Sequence, residues 1–511
     1  MNERGLKMEN IIIIDLGTTG VKVALINKKG ELIAHAYKTY SINAKNERIE
    51  QHPEEWWQST INAISEISEK VKNINGIILS GQMQNLIALS KKGMQIPAIL
   101  YSDTRARKEA IIIEQIIGQE ELIRVTGNIQ DASSLLAKLL WLRENEPDMY
   151  AQTDRILFGA HDFIAWKLTN NEFTDFTTLS TTGLLDIKNN NYAYSFIDAL
   201  GIQRNLLPPL IHAGHLDGLV TRNAALATGL PEGTPVYHGS GDVGSTTIGA
   251  GAGMPGSISC YLGTSGWIAA TTLENFADPK KGIYNLRHPD SIKVIKVGPM
   301  LMAAGNIEWA INVIGNTEKT TREKYKAFND EVIASKSSKL IYLPYLVGER
   351  APFKDPDARG AFIGIERSTT RGEMYKAILE GVTFAMRSIY EAMVTQDNLS
   401  IMSDSGLFSL SGGGAKSPIW PQLIADVFNR KVIVPKEAQL AGIWGAYIIL
   451  GKELGWFSDY SLPRGLLKDY VSFLPISENS KKYEGLYKIF LELYPALKKS
   501  FSSLAGIRTN I

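Results

Sequence analysis

The sequence is poor in cysteine, in long apolar runs and in net charge. Its single cysteine, Cys260, excludes an intramolecular disulfide and any metal site built from several thiolates. No apolar run approaches the about 20 residues of a membrane-spanning helix, and the opening residues lack the apolar stretch of a secretory signal. The 54 basic side chains nearly cancel the 53 acidic ones, so no basic field is available for a nucleic acid. These absences predict a cytoplasmic protein without a nucleic-acid or membrane partner.

Neither of two common nucleotide-binding patterns is found in a form that predicts a site. The phosphate-loop pattern that ends in Gly-Lys-Ser or Gly-Lys-Thr is absent from the sequence. The dinucleotide pattern G-x-G-x-x-G is present as Gly251, Gly253 and Gly256. It precedes a predicted strand, however, and Pro255 stands where close helix packing should begin. We therefore do not interpret it as a dinucleotide site.

The first part of the chain predicts strands and helices in alternation. An apolar run, Ile11–Ile14, leads into the turn Leu16–Gly20 and then into a second apolar segment, Val21–Asn27. Apolar residues at helical spacing over 54–72 follow Pro53, which suits the first turn of a helix. A short buried strand is predicted over 76–80. This alternation is typical of an α/β layer fold.

The sequence pattern of the turn Leu16–Gly20 recurs half a chain later. Leu262–Gly266 repeats the pattern of Leu16–Gly20 between two apolar runs, which predicts two related halves. The Gly- and Pro-rich stretch 250–256 is the predicted boundary. We expect three parts, an N-terminal domain over 9–252, a C-terminal domain over 253–475 and a helical segment over 476–511.

Three glycine-rich turns suit phosphate binding. Gly17–Gly20, Gly263–Gly266 and Gly412–Gly414 each follow an apolar run. Glycine allows backbone N–H groups to approach a phosphate closely, and the neighbouring hydroxyl side chains add donors. Each turn taken singly is also compatible with an ordinary tight turn. Together the three turns favour a nucleotide phosphate site.

Two polar segments are candidates for catalysis and substrate binding. Asp242 lies between glycines after a short apolar strand, where a carboxylate can accept a proton from a substrate hydroxyl. It could equally cap the helix that follows. Asp103 and Arg105 follow another apolar strand, and they either hydrogen-bond a polyol or begin the next helix. His212 and His215 lack the ligand context of a zinc site.

In this order and spacing, these motifs resemble the FGGY carbohydrate kinases, most closely the xylulokinase-like branch, from Ile11 to about Leu450. Asp15–Gly20 is similar to the amino-terminal phosphate loop of that family, and Gly81–Gln84 is similar to its sugar-contact stretch. Asp242 falls on the catalytic base. The remaining similarities are with the family's later blocks, namely Thr174-Asp175, Gly263–Gly266, Gly305, Leu343–Gly364 and Gly412–Ala415.

The resemblance implies an α/β fold of two duplicated actin/hexokinase-like (ribonuclease H-like) domains, with ATP and a sugar meeting in the cleft between them. It implies Asp242 as the general base, and Mg²⁺ held by Asp15 and Asp242. The implied sugar contacts are Gln82, Met83, Gln84, Asp103, Arg105 and Asp242. The implied ATP contacts are Gly17, Thr18, Thr19, Gly263, Thr264, Ser265, Gly305, Gly413 and Gly414.

Departures from the family pattern leave the sugar open. Gln84 stands where xylulokinases usually have His, and His161 stands where Lys is common. D-Xylulose is the first choice, and another ketopentose, a polyol or gluconate is an alternative. A second alternative is an actin-fold ATP-binding protein without catalysis. The resemblance also leaves a homodimer open.

Overall fold

The structure is a computed structural model that describes residues 10–67, 74–90, 97–273, 276–315, 321–335, 340–394, 406–463, 466 and 470–508. The helix predicted over 54–72 is found as Pro53–Glu66, and residues 68–72 of that prediction lie outside the described ranges. Within those ranges, no helix combines the length and the apolar character needed to cross a membrane.

The first half of the chain contains a six-stranded sheet. Its strands are β1 (Asn10–Leu16), β2 (Gly20–Asn27), β3 (Leu32–Thr39), β4 (Gly76–Gly81), β5 (Leu216–Leu219) and β6 (Pro235–Gly241). They lie in the order β5-β6-β4-β1-β2-β3. The pairs β1–β2, β2–β3 and β5–β6 are antiparallel, while β4 is parallel to both β1 and β6.

A seven-stranded sheet forms the second half. Its strands are β7 (Ile258–Leu262), β8 (Gly266–Thr272), β9 (Tyr284–Arg287), β10 (Val294–Met300), β11 (Phe408–Ser411), β12 (Val432–Pro435) and β13 (Tyr470–Phe473). They lie in the order β9-β10-β8-β7-β11-β12-β13. The strand β11 is parallel to β7 and β12, and the other neighbours are antiparallel.

The two sheets share a core of five strands in the same order and directions, β3-β2-β1-β4-β6 and β10-β8-β7-β11-β12, which confirms the predicted duplication. Each sheet adds an antiparallel edge strand, but β5 precedes β6 in the chain whereas β13 follows β12, and the second sheet also has β9 beside β10. The two glycine turns, 17–19 and 263–265, join the first two strands of each sheet. The equivalent turns therefore stand at equivalent ends of the two sheets.

Helices cover both sheets. The helices used below are α1 (Pro53–Glu66), α2 (Ala160–Thr169), α3 (Asp242–Thr247), α4 (Gly305–Val313), α5 (Arg371–Met393), α6 (Trp420–Phe428), α7 (Ala441–Glu453) and α8 (Ser477–Arg508). Further helices are Arg107–Ile117, Gln119–Thr126, Leu135–Asn145, Pro147–Gln152, Phe176–Leu179, Tyr194–Ala199, Arg222–Thr228 and Thr321–Ala334. Short strands are Asn43–Lys45, Arg48–Gln51, Ile87–Leu89, Ala98–Ile99, Arg155–Leu157, Thr174–Asp175, Leu185–Asp186, Leu210–Ile211, Asn191–Tyr192, Ile341–Leu343 and Ala361–Ile363.

The helix α7 crosses from the second half to the first. It lies late in the sequence, but its apolar side chains pack with Ile11 and Ile13 of β1 in one buried cluster. The backbones of α3 and α7 also approach closely, because a Cβ atom at Gly445 would lie only 1.7 Å from the carbonyl oxygen of Ser245. The predicted boundary between 252 and 253 stays a prediction. The helical segment predicted over 476–511 contains α8.

Candidate active site

Three parallel strands bring polar side chains to one edge of the first sheet. Asp15 of β1 pairs with Ser80 of β4, and Ser80 pairs with Ser240 of β6. Because neighbouring strands lie about 4.8 Å apart, Asp15 and Ser240 lie within about 10 Å of each other. Gln82 and Asp242 directly follow the ends of β4 and β6. The strand register therefore collects candidate residues that are more than 200 positions apart in the sequence.

Asp242 combines partial burial with a neighbouring negative charge. It is the first residue of α3 and is partly buried. Burial, followed by the charge of Asp15, raises its pKa from 3.8 to about 7. One carboxylate oxygen, Oδ1, accepts a hydrogen bond of 2.8 Å from the backbone N–H of Val243. Asp242 is therefore the first residue of a helix whose N-cap is Gly241, so it does not occupy the capping position of the alternative interpretation. A carboxylate with this pKa is suited to accept a proton near neutral pH.

Asp15 lies where the two halves meet. Its Oδ2 is 3.8 Å from the ammonium group of Lys22. A Cβ atom at Gly442, at the start of α7, would lie 2.6 Å from the same oxygen, so glycine leaves the room that this carboxylate occupies. The charges of Asp15 and Asp242 repel each other. Two neighbouring carboxylates that interact electrostatically are oxygen ligands of the kind that Mg²⁺ prefers, so this pair fits the predicted metal.

The first glycine turn is supported by its surroundings. The N–H of Gly17 donates to the carbonyl oxygen of Gly20 at 3.0 Å, and Gln51 Nε2 donates to the carbonyl oxygen of Thr18 at 2.8 Å. The phenol of Tyr40 donates to the carbonyl oxygen of Gly17; burial raises the pKa of Tyr40, which keeps that proton in place. Thr19, at the tip, is exposed. The turn is thus held by its carbonyl oxygens.

The second glycine turn packs against the start of α4. The carbonyl oxygen of Thr264 accepts from the N–H groups of Ala303, at 2.8 Å, and Gly305, at 3.0 Å. A Cβ atom at Gly305 would lie 3.0 Å from that oxygen, so the close approach needs glycine. Thr264 and Ser265 are exposed, which leaves their side-chain hydroxyl groups accessible to a ligand.

The third glycine segment converges on the same strand end. Gly412 has φ +88°, and a Cβ atom there would lie 2.5 Å from the carbonyl oxygen of Leu262. A Cβ atom at Gly414 would lie 2.8 Å from Cβ of Leu262. Because Leu262 directly precedes the second turn, the segments containing Gly263, Gly305 and Gly412 lie together at one edge of the second sheet. This is the grouping expected for a nucleotide site.

The predicted sugar-contact segment lies beside Asp242. Gln82 Nε2 donates to Gln51 Oε1 at 2.8 Å. A Cβ atom at Gly241 would lie 2.7 Å from Sδ of Met83, so the thioether touches the residue before Asp242. Gln84 has a left-handed backbone, with φ +62°, and its amide donates to the hydroxyl of Thr181. Its side chain is therefore already oriented by another residue.

Asp103 and Arg105 are mainly engaged with each other. Asp103 is fully buried and accepts from the N–H of Ile49 at 2.7 Å. The guanidinium of Arg105 donates to Asp103 at 2.7 Å and to Glu50 at 2.5 Å, and it lies 4.9 Å from the ring centre of Trp141. These contacts explain a structural role for the pair. Their contact with a sugar stays a prediction.

The two halves meet at the candidate site. Met83 and Val243, which adjoin the first sheet, pack in one cluster with Trp267, Ala269 and Ile295 of the second sheet. Trp267 follows the second glycine turn by one residue. The residues next to the carboxylate after β6 and next to the turn after β7 therefore pack in one cluster where the halves meet.

Some residues at the site carry no local sequence signal. Lys22 and Gly442 reach Asp15 from a neighbouring strand and from a distant helix, and only the strand register or the complete fold brings them there. His161 and His238 form a buried cluster with nearby aspartates, although the histidines in the sequence have no metal-site spacing. The sequence shows that His161 stands where Lys is common, but it does not show that His161 lies beside His238.

Comparisons with known proteins identify the family. Residues 10–249 match the N-terminal domain of the FGGY family of carbohydrate kinases, and residues 234–452 match its C-terminal domain. The chain is 31% identical over 510 residues to a xylulose kinase of Bacillus subtilis (strain 168), covering 98% of this chain and 100% of that one.

Solved structures give the same answer for the fold. A ligand-bound xylulose kinase from Lactobacillus acidophilus has a TM-score of 0.86 and 25% identity, covering 97% of this chain and 99% of that one. A gluconate kinase from the same organism has a TM-score of 0.86 and 24% identity, covering 98% and 100%, and shows the fold alone. The chain belongs to the FGGY family of carbohydrate kinases.

Proposed function

We propose that this enzyme transfers the γ-phosphoryl group of ATP to D-xylulose and forms D-xylulose 5-phosphate. The observation that carries the proposal is the position of Asp242, which follows a parallel strand at the sheet edge that also holds Asp15 and Met83. The names of the xylulose kinases that match almost the whole chain support the choice of sugar.

Asp242 acts as the general base. Its carboxylate accepts the proton of the sugar hydroxyl as that oxygen attacks the phosphorus. The second carboxylate oxygen remains for this task, because Oδ1 accepts from the N–H of Val243. A pKa of about 7 leaves a substantial ionised fraction near neutral pH and makes the group a competent proton acceptor.

The nucleotide is held by turns from both halves. Gly17, Thr18 and Thr19 contact the phosphates from the first sheet, and the second sheet contributes the contacts Gly263, Thr264, Ser265, Gly305, Gly413 and Gly414. Exposed hydroxyl groups at the tips of both turns support these roles. Phosphoryl transfer depends on positioning and on charge neutralisation, which two turns facing one cleft can supply.

Asp15 and Asp242 would hold Mg²⁺. When bound, the ion neutralises the phosphate oxygens and orients the reacting group. The mutual repulsion of the two carboxylates supports this assignment, because a divalent cation between them would relieve it. Chelation of Mg²⁺ should abolish ADP release, and added Mg²⁺ should restore it.

The substrate binds through Gln82, Met83, Gln84, Asp103, Arg105 and Asp242. Gluconate is the closest alternative, and its carboxylate would need a cation. Arg105 is already paired with Asp103, and Lys138 donates to the carbonyl oxygen of Leu100 at 2.6 Å. These engagements favour a neutral sugar. A homodimer and the division into 9–252, 253–475 and 476–511 remain predictions.

The test is ATP consumption across a panel of acceptors. ADP release is measured with D-xylulose, other ketopentoses, polyols and gluconate, and the product is analysed by mass spectrometry. We expect sugar-dependent release with the highest kcat/KM for D-xylulose. A higher value for gluconate would refute the choice of sugar but keep the kinase. ATP hydrolysis that no acceptor stimulates would favour the actin-like binder instead.

A further inference from the structure

A buried group of two histidines and two aspartates lies behind the candidate site. His161 and Asp162 begin α2, Asp175 precedes a short helix, and His238 belongs to β6. All four side chains are at most 1% exposed. A Cβ atom at Gly81, the last residue of β4, would lie 3.2 Å from the backbone nitrogen of His161. The proposed phosphoryl transfer uses none of these four side chains.

The donor atoms of this group face one another. His161 Nε2 lies 3.1 Å from Asp162 Oδ1 and 3.2 Å from Asp175 Oδ2. His238 Nε2 lies 3.3 Å from Asp162 Oδ1. One donor atom from each residue lies within 4.8 Å of the other three. Two imidazoles and two carboxylates thus surround a single small volume.

Each carboxylate is anchored by the oxygen that points away from this volume. Asp162 Oδ2 accepts from the N–H of Gly159 at 3.0 Å. Asp175 Oδ1 accepts from the N–H groups of Thr177, at 2.9 Å, and Thr178, at 3.1 Å. Backbone donors therefore orient both carboxylates, and the inner oxygens, Asp162 Oδ1 and Asp175 Oδ2, lie toward the histidines. Asp175 Oδ2 also accepts from the hydroxyl group of Thr178.

The histidine of β6 is anchored in the same way. His238 Nδ1 lies 2.8 Å from Asp217 Oδ2, and this carboxylate is also buried. A hydrogen bond from Nδ1–H to this carboxylate orients the imidazole so that Nε2 lies toward the other three residues, where a bound metal ion would take the place of a proton. Histidines that bind a metal commonly donate their other ring N–H to a carboxylate, as His238 does to Asp217.

Two inner atoms lack the hydrogen bond that their burial requires. Asp162 Oδ1 has ring nitrogens of His161 and His238 at 3.1 and 3.3 Å, yet no hydrogen bond of normal geometry reaches this oxygen or His238 Nε2 from the described residues. Buried polar atoms normally make hydrogen bonds. The side chains of Asp162 and His238 are at most 1% exposed. A cation between them would satisfy both atoms at once.

We propose that His161 Nε2, His238 Nε2, Asp162 Oδ1 and Asp175 Oδ2 bind one divalent transition-metal cation, with Zn²⁺ the best match. Zinc bonds of about 2.0–2.1 Å to nitrogen and oxygen in a tetrahedron imply donor separations of about 3.3 Å. Three of the separations, 3.1, 3.2 and 3.3 Å, agree, and the others, which reach up to 4.8 Å, must contract by up to about 1.5 Å to match this geometry. Four protein donors close the coordination shell, so the ion is structural and braces α2 against β6.

The test is the metal content of the full-length protein, purified through a chelator and measured by mass spectrometry of the elements. We expect close to one zinc per chain. Protein produced with Co²⁺ should show the visible absorption of a tetrahedral cobalt site. A zinc content near zero in protein from zinc-supplemented cells would overturn the proposal and leave an imidazole–carboxylate network without metal.

Variants separate metal loss from misfolding. His161→Lys keeps a cation facing Asp175 but removes a neutral donor, so a folded variant without zinc is expected. Asp162→Asn should also lose the metal. The control is His35→Gln, since His35 is exposed on β3, and it should retain one zinc. A folded His161→Lys chain with full zinc would contradict the ligand set. Metal content is read without turnover, so this outcome is independent of the proposed kinase activity.

Discussion

Replacing Asp242 by Asn should make the protein more stable and less active. The carboxylate is partly buried near Asp15, and burial together with that charge raises its pKa from 3.8 to about 7. Ionisation of Asp242 therefore lowers the free energy of unfolding of the parent protein. Asn has nearly the same shape, does not ionise, and can still accept the hydrogen bond from the N–H of Val243.

The magnitude follows from the pKa shift. A change from 3.8 to about 7 corresponds to about 4 kcal/mol, at about 1.4 kcal/mol per unit. Water reaches the partly buried side chain, so we expect a gain of about 2–4 kcal/mol in the free energy of unfolding. Between these two pH values the folded chain keeps a proton that the unfolded chain has lost. The stability of the parent protein therefore falls as the pH rises from about 4 to about 7.

Urea unfolding of both proteins at several pH values measures this difference. The advantage of Asp242→Asn should be complete above about pH 7, about half as large near pH 5.5, and absent near pH 4. The variant Asp148→Asn, at an exposed position, is the control and should show no such pH dependence. Turnover of Asp242→Asn should fall by about 10²–10⁴-fold, the usual contribution of a general base.

The same group should govern the pH profile of the parent enzyme. Its kcat/KM should decrease below about pH 7, approaching tenfold per pH unit, because a protonated carboxyl cannot accept the sugar proton. Equal stability of the two proteins at pH 8 would refute the burial argument. Near-normal turnover of Asp242→Asn would remove this residue from the role of base.

Three further substitutions test other parts of the site. Arg105→Leu leaves Asp103 buried without its partner and should lower the free energy of unfolding by about 3–5 kcal/mol, measured by urea unfolding; a loss below 1 kcal/mol would contradict the buried pair. Gly442→Ala places a methyl group against Asp15 and should raise the Mg²⁺ concentration for half-maximal activity several-fold; an unchanged value would separate Asp15 from the metal. Gln84→His should raise kcat/KM for D-xylulose relative to other acceptors, and an unchanged profile would assign Gln84 to packing.

Much of the fold could be predicted because its signals are local. The turns at Gly17–Gly20 and Gly263–Gly266 lie between apolar runs of consecutive residues, and each pattern defines strand, turn and strand without distant contacts. Repetition of that pattern predicted the duplication found in the two sheets. The candidate base was also visible, since Asp242 stands between glycines directly after a short apolar strand.

Other parts depended on contacts between distant residues. The role of Asp103 and Arg105 was open in the sequence, and burial, Glu50 and Trp141 decided that they pair with each other. No local pattern could indicate this, because Trp141 lies on a helix from another part of the chain. The side chains that orient a polar group are often far from it in sequence.

The sequence by itself indicated the two glycine turns, the duplication into two related halves and Asp242, the residue after β6, as the candidate base. Only the tertiary structure decided that α7 returns to Asp15 and that His161 meets His238. The physical reason is the separation in sequence over which each kind of interaction acts. Turn geometry and strand periodicity arise between neighbours in the chain, whereas charge repulsion, ligand grouping and close backbone approach depend on which distant segments the folded sheets bring together.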